Sequence, residues 1–338
     1  MNKIGLYGKV YFVVLSIAVA MFMAAVDRSF VIDNDNYVRY FSDEGVLYEF
    51  LNRVTSVEGL GALPIFFSEE FVWQIYVTVV GSLFDANLAV VLTVIAINIL
   101  IMYSIWISGA GLVGCLLWIV LPLCLPVVGF YQIRQGFAVS LFVFLCLIDF
   151  YPIVAAVIAS MVHTTFVIPC VVVFFMGFDL LWKRKLYLFL VLSVIFLAVA
   201  LMADGLFSEF AGRRGEIYAV TDGTASINFL IGVVFMILPS LYIVFLGGGC
   251  FGDFVVRMSI MHIGVSIWLF MAFVYFPVGT SRVGYYSQIF SIIPVGALLM
   301  RKTTSSFVVG FLYFLMVIVF VFGAVGGGSY YEILNARL

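Results

Sequence analysis

Long apolar runs recur from one end of this chain to the other, and they decide most of what it can fold into. Several reach about 18 residues or more, the length a helix needs to cross a hydrocarbon core roughly 30 Å thick. In lipid every backbone N–H and C=O must find its partner inside the protein, which leaves helices or closed barrels as spanning structures. Unbroken apolar runs, rather than strict alternation, favour helices. Of 338 residues, 65% are hydrophobic and 10% charged, against about 25% charged in an ordinary soluble domain. The expected fold class is all-α: a polytopic transmembrane helix bundle, one integral membrane domain over residues 1–338. Function must then be sought in the rare polar groups, because each is costly in lipid.

Composition removes several function classes. The net charge is −2 and no basic patch stands out, so no nucleic acid is expected as a partner. Cys115, Cys124, Cys146, Cys170 and Cys250 lie in or beside apolar runs, without CxxC spacing or clustered histidines. They read as packing residues. Two histidines cannot build a His-rich metal site, and neither a metal nor a cofactor is expected. The first apolar run, Tyr11 to Val26, follows Lys3 and Lys9 as a signal peptide would. An uncleaved first span is the expected reading.

Excess Lys and Arg mark cytoplasmic loops. Lys3 with Lys9, Lys183-Arg184-Lys185, and Arg301-Lys302 all lie inside if about eleven crossings are drawn, with the N-terminus cytoplasmic. Residues 204–225 then form an outer loop, and residues 27–86 a longer one. In one register 71–84 crosses the membrane and 150–180 is a single span. In the other, 71–84 is a short helix on the outer surface and 150–180 breaks near His163. The second is preferred, because it gathers Arg134, His163, the acidic loop after Asp27, Arg213, Arg214 and Arg282 on one side. Thr164, Thr165 and Pro169 also suit a break there.

The arginines outside the cytoplasmic clusters carry the sharpest chemistry. Arg134 and Arg282 stand at predicted helix starts, in Tyr131-Gln132-Ile133-Arg134-Gln135-Gly136 and Ser281-Arg282-Val283-Gly284-Tyr285-Tyr286. A guanidinium grips phosphate oxygens in a planar fork, and helix N-termini add positive dipole ends. The blander role is contact with lipid headgroups or loop carboxylates. The outer loop holds Asp27, Asp33, Asp35, Asp43, Glu44, Glu49, Glu58, Glu69 and Glu70. Asp33-Asn34-Asp35 is formally a DxD triplet, but most of these acids read as solvated. One beside the arginines can act as a general base. Tyr37, Tyr40, Trp73, Tyr285 and Tyr286 lie near these groups and can stack on sugars, although most aromatics in such a chain pack against helices or lipid. His262 reads as a buried, hydrogen-bonded core residue.

Taken together and in order, these motifs resemble the EpsG/Wzy group of bacterial polysaccharide polymerases, which make O-antigen and exopolysaccharide. The resemblance covers about residues 1–300 and rests on Asp33 with Tyr37; on Glu70-Phe71-Val72-Trp73-Gln74-Ile75-Tyr76; on Arg134-Gln135-Gly136-Phe137-Ala138; on His163-Thr164-Thr165-Phe166; and on Arg282 with Tyr285 and Tyr286. The chain departs from the family pattern in lacking Pro after Glu70 and in carrying Thr164-Thr165 after His163.

The resemblance implies a GT-C-like membrane glycosyltransferase of the bacterial inner membrane, with its active site facing the periplasm and a role in lipopolysaccharide or other polysaccharide biosynthesis. Donor and acceptor are glycan repeat units on undecaprenyl diphosphate. A flippase and a chain-length-regulating co-polymerase are implied partners. Arg134 and Arg282 are expected to stabilise the leaving diphosphate, and Asp33, Glu70 or His163 to supply the base. Gln135, Arg213, Arg214, Tyr37, Trp73, Tyr285 and Tyr286 are expected to bind substrate. The rival reading is a lipid-linked glycan flippase or secondary transporter, which places its ionisable groups near the midplane.

Overall fold

The computed structural model describes residues 6–26, 28, 31, 33–43, 45–57, 62–121, 123–210, 227–247, 249–275, 277–301, 303 and 308–313. Regular structure among them is helical throughout. The described residues up to Val167 form one compact unit and those from Ile168 onward a second.

In the first unit a long apolar helix, α1 (Leu6–Ala25), leads into α2 (Asn34–Ser42), α3 (Val46–Thr55), α4 (Ala62–Ser68) and α5 (Phe71–Leu83). Then come α6 (Ala86–Ile105), a π-helical turn at Trp106–Ala110, α7 (Gly111–Val120) and a π-helical stretch at Leu123–Tyr131. They are followed by α8 (Ile133–Leu147) and α9 (Pro152–Val162). Helix α6 lies at the centre and packs against α1, α2 and α8, while α9 packs on α5 and α8.

Four helices are long and apolar enough to cross a membrane: Tyr7–Ala25, Ala86–Val120, Lys185–Met202 and Asp253–Phe273. Cys124–Tyr131 with Ile133–Leu147 makes a fifth if that pair, bent by 108°, is one span. Phe71–Leu83, Pro152–Val162, Thr164–Met176, Ile231–Leu246 and Val283–Leu299 are apolar but shorter. The chain is thus an all-helical protein with four or five candidate membrane-spanning helices among the described residues. The expected tally of about eleven crossings is not reached by length alone.

The irregular stretch that leads to the bend at Gln132 has a sequence cause. Pro126 sits inside the π-helical stretch, where its missing N–H breaks the regular ladder. Gly136, in the first turn of α8, allows the Val128 carbonyl to approach so closely that any Cβ there would collide with it. Asn98, buried on α6, then ties the stretch down. Its Nδ2 donates to the carbonyls of Val94 and Gly129, both at 2.8 Å. Its Oδ1 accepts from Trp118 Nε1 at 2.9 Å. One amide side chain therefore fixes α6, α7 and the approach to α8, and with them the position of Arg134.

The run 150–180 is broken at His163, whose backbone is extended (φ −149, ψ 119) between α9 and a 3-10 turn at Thr164–Phe166. Helix α10 (Val167–Met176) follows. Pro169 falls in its first turn, where a missing N–H costs no intrahelical bond.

The second unit contains α11 (Asp179–Lys183), α12 (Lys185–Phe210) and the helices Ile227–Leu241, Asp253–Tyr275 and Pro277–Leu299. The last two pack most extensively on each other, and Asp253–Tyr275 also packs on α12 and on Ile227–Leu241. His262 is fully buried, as its sequence setting predicts, and its Nδ1 lies 2.8 Å from the Ser240 hydroxyl.

Replacing Asn98 with Leu strands the Trp118 N–H and the Gly129 carbonyl, at about 1–3 kcal/mol for each orphaned group. The thermal midpoint of the purified variant in detergent is expected to fall markedly. An unchanged midpoint would show that the Asn98 bonds do not hold the bend.

Candidate functional site

Three elements far apart in sequence deliver one buried polar cluster in the first unit. Glu70 is the last residue before α5 and only 3% exposed. Its Oε2 accepts from Arg134 Nη1 at 2.5 Å, across 64 positions of sequence. Its Oε1 faces His163 Nδ1 at 2.6 Å, across 93 positions. The backbone N–H of Thr164 also points at Oε1, at 3.4 Å.

Each partner is placed by a local feature of its own element. Glu70 adopts the left-handed conformation (φ 57, ψ 55) at the head of α5, which costs a non-glycine residue on the order of 1–3 kcal/mol. That turn swings the carboxylate away from the helix, and the side chain makes no cap bond to α5. The Thr164 hydroxyl secures the turn from the far side by donating to the Phe67 carbonyl at 2.9 Å. Gln74 Nε2 secures it from within α5 by donating to the Glu69 carbonyl at 3.0 Å. Adjacent acids are thereby separated: Glu69 meets Arg53 at 3.0 Å at the surface, while Glu70 turns inward.

Arg134 is the second residue of α8, where the positive end of the helix dipole disfavours a cation. The Glu70 carboxylate offsets that cost. The guanidinium also lies over the Tyr40 ring, 5.6 Å from its centroid. His163 occupies the extended break after α9 and is 7% exposed.

Burial alone would raise the Glu70 carboxyl, but Arg134 and His163 outweigh it and hold the group at about 2. Glu70 is therefore an anion and accepts hydrogen bonds only. This fixes Nδ1 as the donor to Glu70; in the neutral form of the ring Nε2 is then the acceptor nitrogen. A carboxylate that orients an imidazole in this way is a common arrangement for general-base work. Because both Glu70 oxygens are engaged, Glu70 is poorly placed to take a proton itself.

The other sequence candidates separate by position. Tyr37 on α2 is buried, and it interacts electrostatically with Arg134 and with Asp33. Asp33 precedes α2, half-buried, with Asn36 Nδ2 at 3.5 Å from its carboxylate. Gln135 is buried on α8 beside Arg134. Trp73 corrects an expectation. It was a candidate for stacking on sugar, but it is 0% exposed, enclosed edge-on by Tyr37, Phe41 and Phe137. It presents no open face. Tyr285 and Tyr286 lie on Pro277–Leu299 in the second unit, and Tyr286 is fully buried there. Arg213, Arg214 and the side chain of Arg282 lie outside the described residues, so the expected meeting of Arg134 with Arg282 does too. Among the described residues, no group of three or more His, Cys, Asp or Glu gathers as metal ligands.

Arg28 was overlooked in the sequence. It is buried at 7% exposure, lies over the Phe130 ring 4.3 Å from its centroid, and donates to the Phe130 carbonyl at 2.9 Å. Its one signal was an isolated cation just past the first apolar run, inside an otherwise acidic stretch.

Glu70→Gln should leave Arg134 largely buried without its counter-ion, a loss of about 3–5 kcal/mol. The Glu70 carboxyl is held below its ordinary value, so its contribution is complete above about pH 4.5 and fades as pH falls toward 2. The difference in thermal midpoint between wild type and Glu70→Gln is expected to be large at pH 7 and to shrink on acidification below pH 5. A gap that stays constant with pH would contradict the ionised pair.

No protein-family model, curated protein or solved structure matches the chain, so the site's own chemistry carries the functional argument.

Proposed function

We propose that this chain is a membrane glycosyltransferase that polymerises lipid-linked glycan repeat units, transferring a growing chain from undecaprenyl diphosphate to a hydroxyl of the next unit. The observation that carries this reading is the Glu70–Arg134–His163 cluster, built from residues that the sequence motifs single out. It supplies a base, the group that orients the base, and a cation for the leaving group.

In the proposed transfer, His163 Nε2 takes the proton from the acceptor hydroxyl while that oxygen attacks the anomeric carbon of the donor glycan. The bond from that carbon to the diphosphate oxygen breaks, and its electron pair leaves with the diphosphate. Arg134 stabilises the charge that develops there. Its Nη1 is committed to Glu70, and the fork retains further N–H donors. Glu70 keeps the imidazole in the right tautomer and shares the positive charge that His163 acquires. This assigns the base to His163 over Asp33 and Glu70. Gln135 and Tyr37 remain proposed substrate contacts in the first unit, and Arg282, Arg213, Arg214 and Tyr285 remain so on sequence grounds alone. Tyr286 drops out because it is fully buried, and the reaction is proposed to need no metal.

The finer topology belongs to the same proposal. It comprises about eleven crossings in a GT-C-like arrangement, placed in a bacterial inner membrane with the cytoplasmic end set by the lysine and arginine clusters. The site then faces the periplasm, where a flippase delivers the lipid-linked units and a co-polymerase sets chain length.

A second reading, lipid-linked glycan flippase or transporter, draws support from His262. This ionisable residue is fully buried inside the candidate span Asp253–Phe273, the kind of position that marks substrate or proton paths.

A gel of lipopolysaccharide or capsule separates the two readings. Deleting the gene should remove the polymer ladder while one repeat unit is still exported. Loss of that exported unit as well would favour transport and sink the polymerase reading. Within the polymerase, His163→Ala should abolish the ladder at normal protein level, and Arg134→Lys, which keeps charge but loses the planar fork, should shorten it severely. Recovery of the ladder by His163→Phe would reduce His163 to a packing residue.

A further inference from the structure

Arg28 is a buried cation that nothing described on the chain neutralises. It follows α1 by three residues, at the point where an apolar helix gives way to the polar loop. Nη2 donates to the Phe130 carbonyl at 2.9 Å, and Nε donates to Asn34 Oδ1 at 3.2 Å. Nη1 is buried with no hydrogen-bond partner. Among the described ion pairs, none involves Arg28. The groups that act on its charge are the phenols Tyr37 and Tyr131. Tyr37 acts on Arg134 as well, so one phenol lies within electrostatic reach of both guanidiniums.

A guanidinium stays charged when it is buried. A buried ion is tolerated when a counter-ion accompanies it, and is strongly destabilising when alone. Holding the Phe130 carbonyl and Asn34 requires only a neutral amide donor. Arg28 therefore brings a charge that its visible partners do not use, together with an N–H aimed at no acceptor. Glu70 neutralises Arg134 but has no bond to Arg28. Asp33 also acts on Tyr37, but among the described ion pairs it has none with Arg28, so the buried Arg28 Nη1 is left with an N–H that an external anion could accept.

We infer that Arg28, Tyr37 and Arg134 form an anion subsite that takes the phosphate end of a lipid-linked diphosphate. The inference rests on the glycan-transfer reading only for the glycan on that lipid. The chemistry recognised is a phosphate ester, which suits planar guanidinium forks and phenol hydroxyls. The position favours a lipid headgroup over a soluble phosphate, because Arg28 stands where the first apolar helix ends and a headgroup would rest. Arg28 grips the anion, and Arg134 stabilises it as it leaves.

The test measures binding to the purified full chain in detergent, using undecaprenyl diphosphate, undecaprenol and inorganic pyrophosphate as probes. Wild type should bind undecaprenyl diphosphate well and undecaprenol poorly. Arg28→Gln, which keeps a donor for the Phe130 carbonyl, should weaken diphosphate binding by about tenfold or more, the size of one charge-assisted hydrogen bond. It should leave undecaprenol binding unchanged. Without ligand, its thermal midpoint should match or exceed that of wild type, because an uncompensated charge has been removed; a purely structural clamp would lose stability instead. Arg28→Lys should fall between the two in affinity.

Diphosphate binding within twofold of wild type in Arg28→Gln would overturn the inference. So would a fall in ligand-free stability with equal losses for both lipids. If Arg28→Gln does not accumulate in the membrane, the clamp reading holds and the inference fails. Inorganic pyrophosphate binding as tightly as the lipid form would overturn the headgroup assignment. The two readings fail separately. Arg28-dependent diphosphate binding in a protein whose deletion leaves the polymer ladder intact keeps the subsite and removes the polymerase. A lost ladder with Arg28-independent binding does the reverse.

Discussion

The first unit is organised around one carboxylate with two partners. Glu70 gives one oxygen to Arg134 and the other to His163, and each contact needs the other elements in place. Remove the carboxylate, and a largely buried guanidinium at a helix N-terminus has no counter-charge, while an imidazole at a helix break has nothing to orient it. The cluster thus joins the α4–α5 turn, the start of α8 and the end of α9 through a few short polar bonds. The surrounding apolar helices exclude water from it and, through Asn98, hold the approach to α8. Low local dielectric strengthens those bonds and makes any missing partner costly.

Three local irregularities converge on this cluster. Glu70 sits in a left-handed backbone conformation, Arg134 follows a sharp bend at Gln132, and His163 interrupts a helical run. Each gives up regular hydrogen bonding or backbone ease, and each points a polar side chain at the same place. Strain that converges in this way is characteristic of functional sites. Neighbouring side chains hold the irregularities open. Thr164 and Gln74 bind carbonyls of the α4–α5 turn, and Asn98 binds the carbonyl of Gly129 ahead of α8.

The arrangement separates roles that the residue types alone left open. Asp33, Glu70 and His163 were equal candidates for a base when judged by charge and spacing. Geometry divides them. Glu70 has both oxygens engaged, His163 has its Nδ1 side fixed by a carboxylate, and Asp33 touches the cluster only through Tyr37. The same logic sorts the aromatics, because Trp73 is enclosed by other rings and Tyr40 lies beside the Arg134 guanidinium.

Sequence alone was enough for the helical membrane class, because apolar runs about 18 residues long leave few other solutions in lipid. It also flagged Glu70, Arg134 and His163, since ionisable groups are scarce in such a chain and therefore conspicuous. The break at His163 was legible in Thr164, Thr165 and Pro169. Sequence did not settle the number of spanning helices, because Phe71–Leu83 and Pro152–Val162 are apolar but shorter than the helices long enough to cross by themselves. The pairing of Glu70 with both partners was also beyond it. That contact spans 64 and 93 positions, and no local pattern encodes which distant helix start a carboxylate will meet. Arg28 went unmarked until packing buried it against Phe130, and Trp73 looked like a sugar platform until its neighbours closed over it. Burial and partnership are properties of the packed helices, so only the tertiary structure decided them.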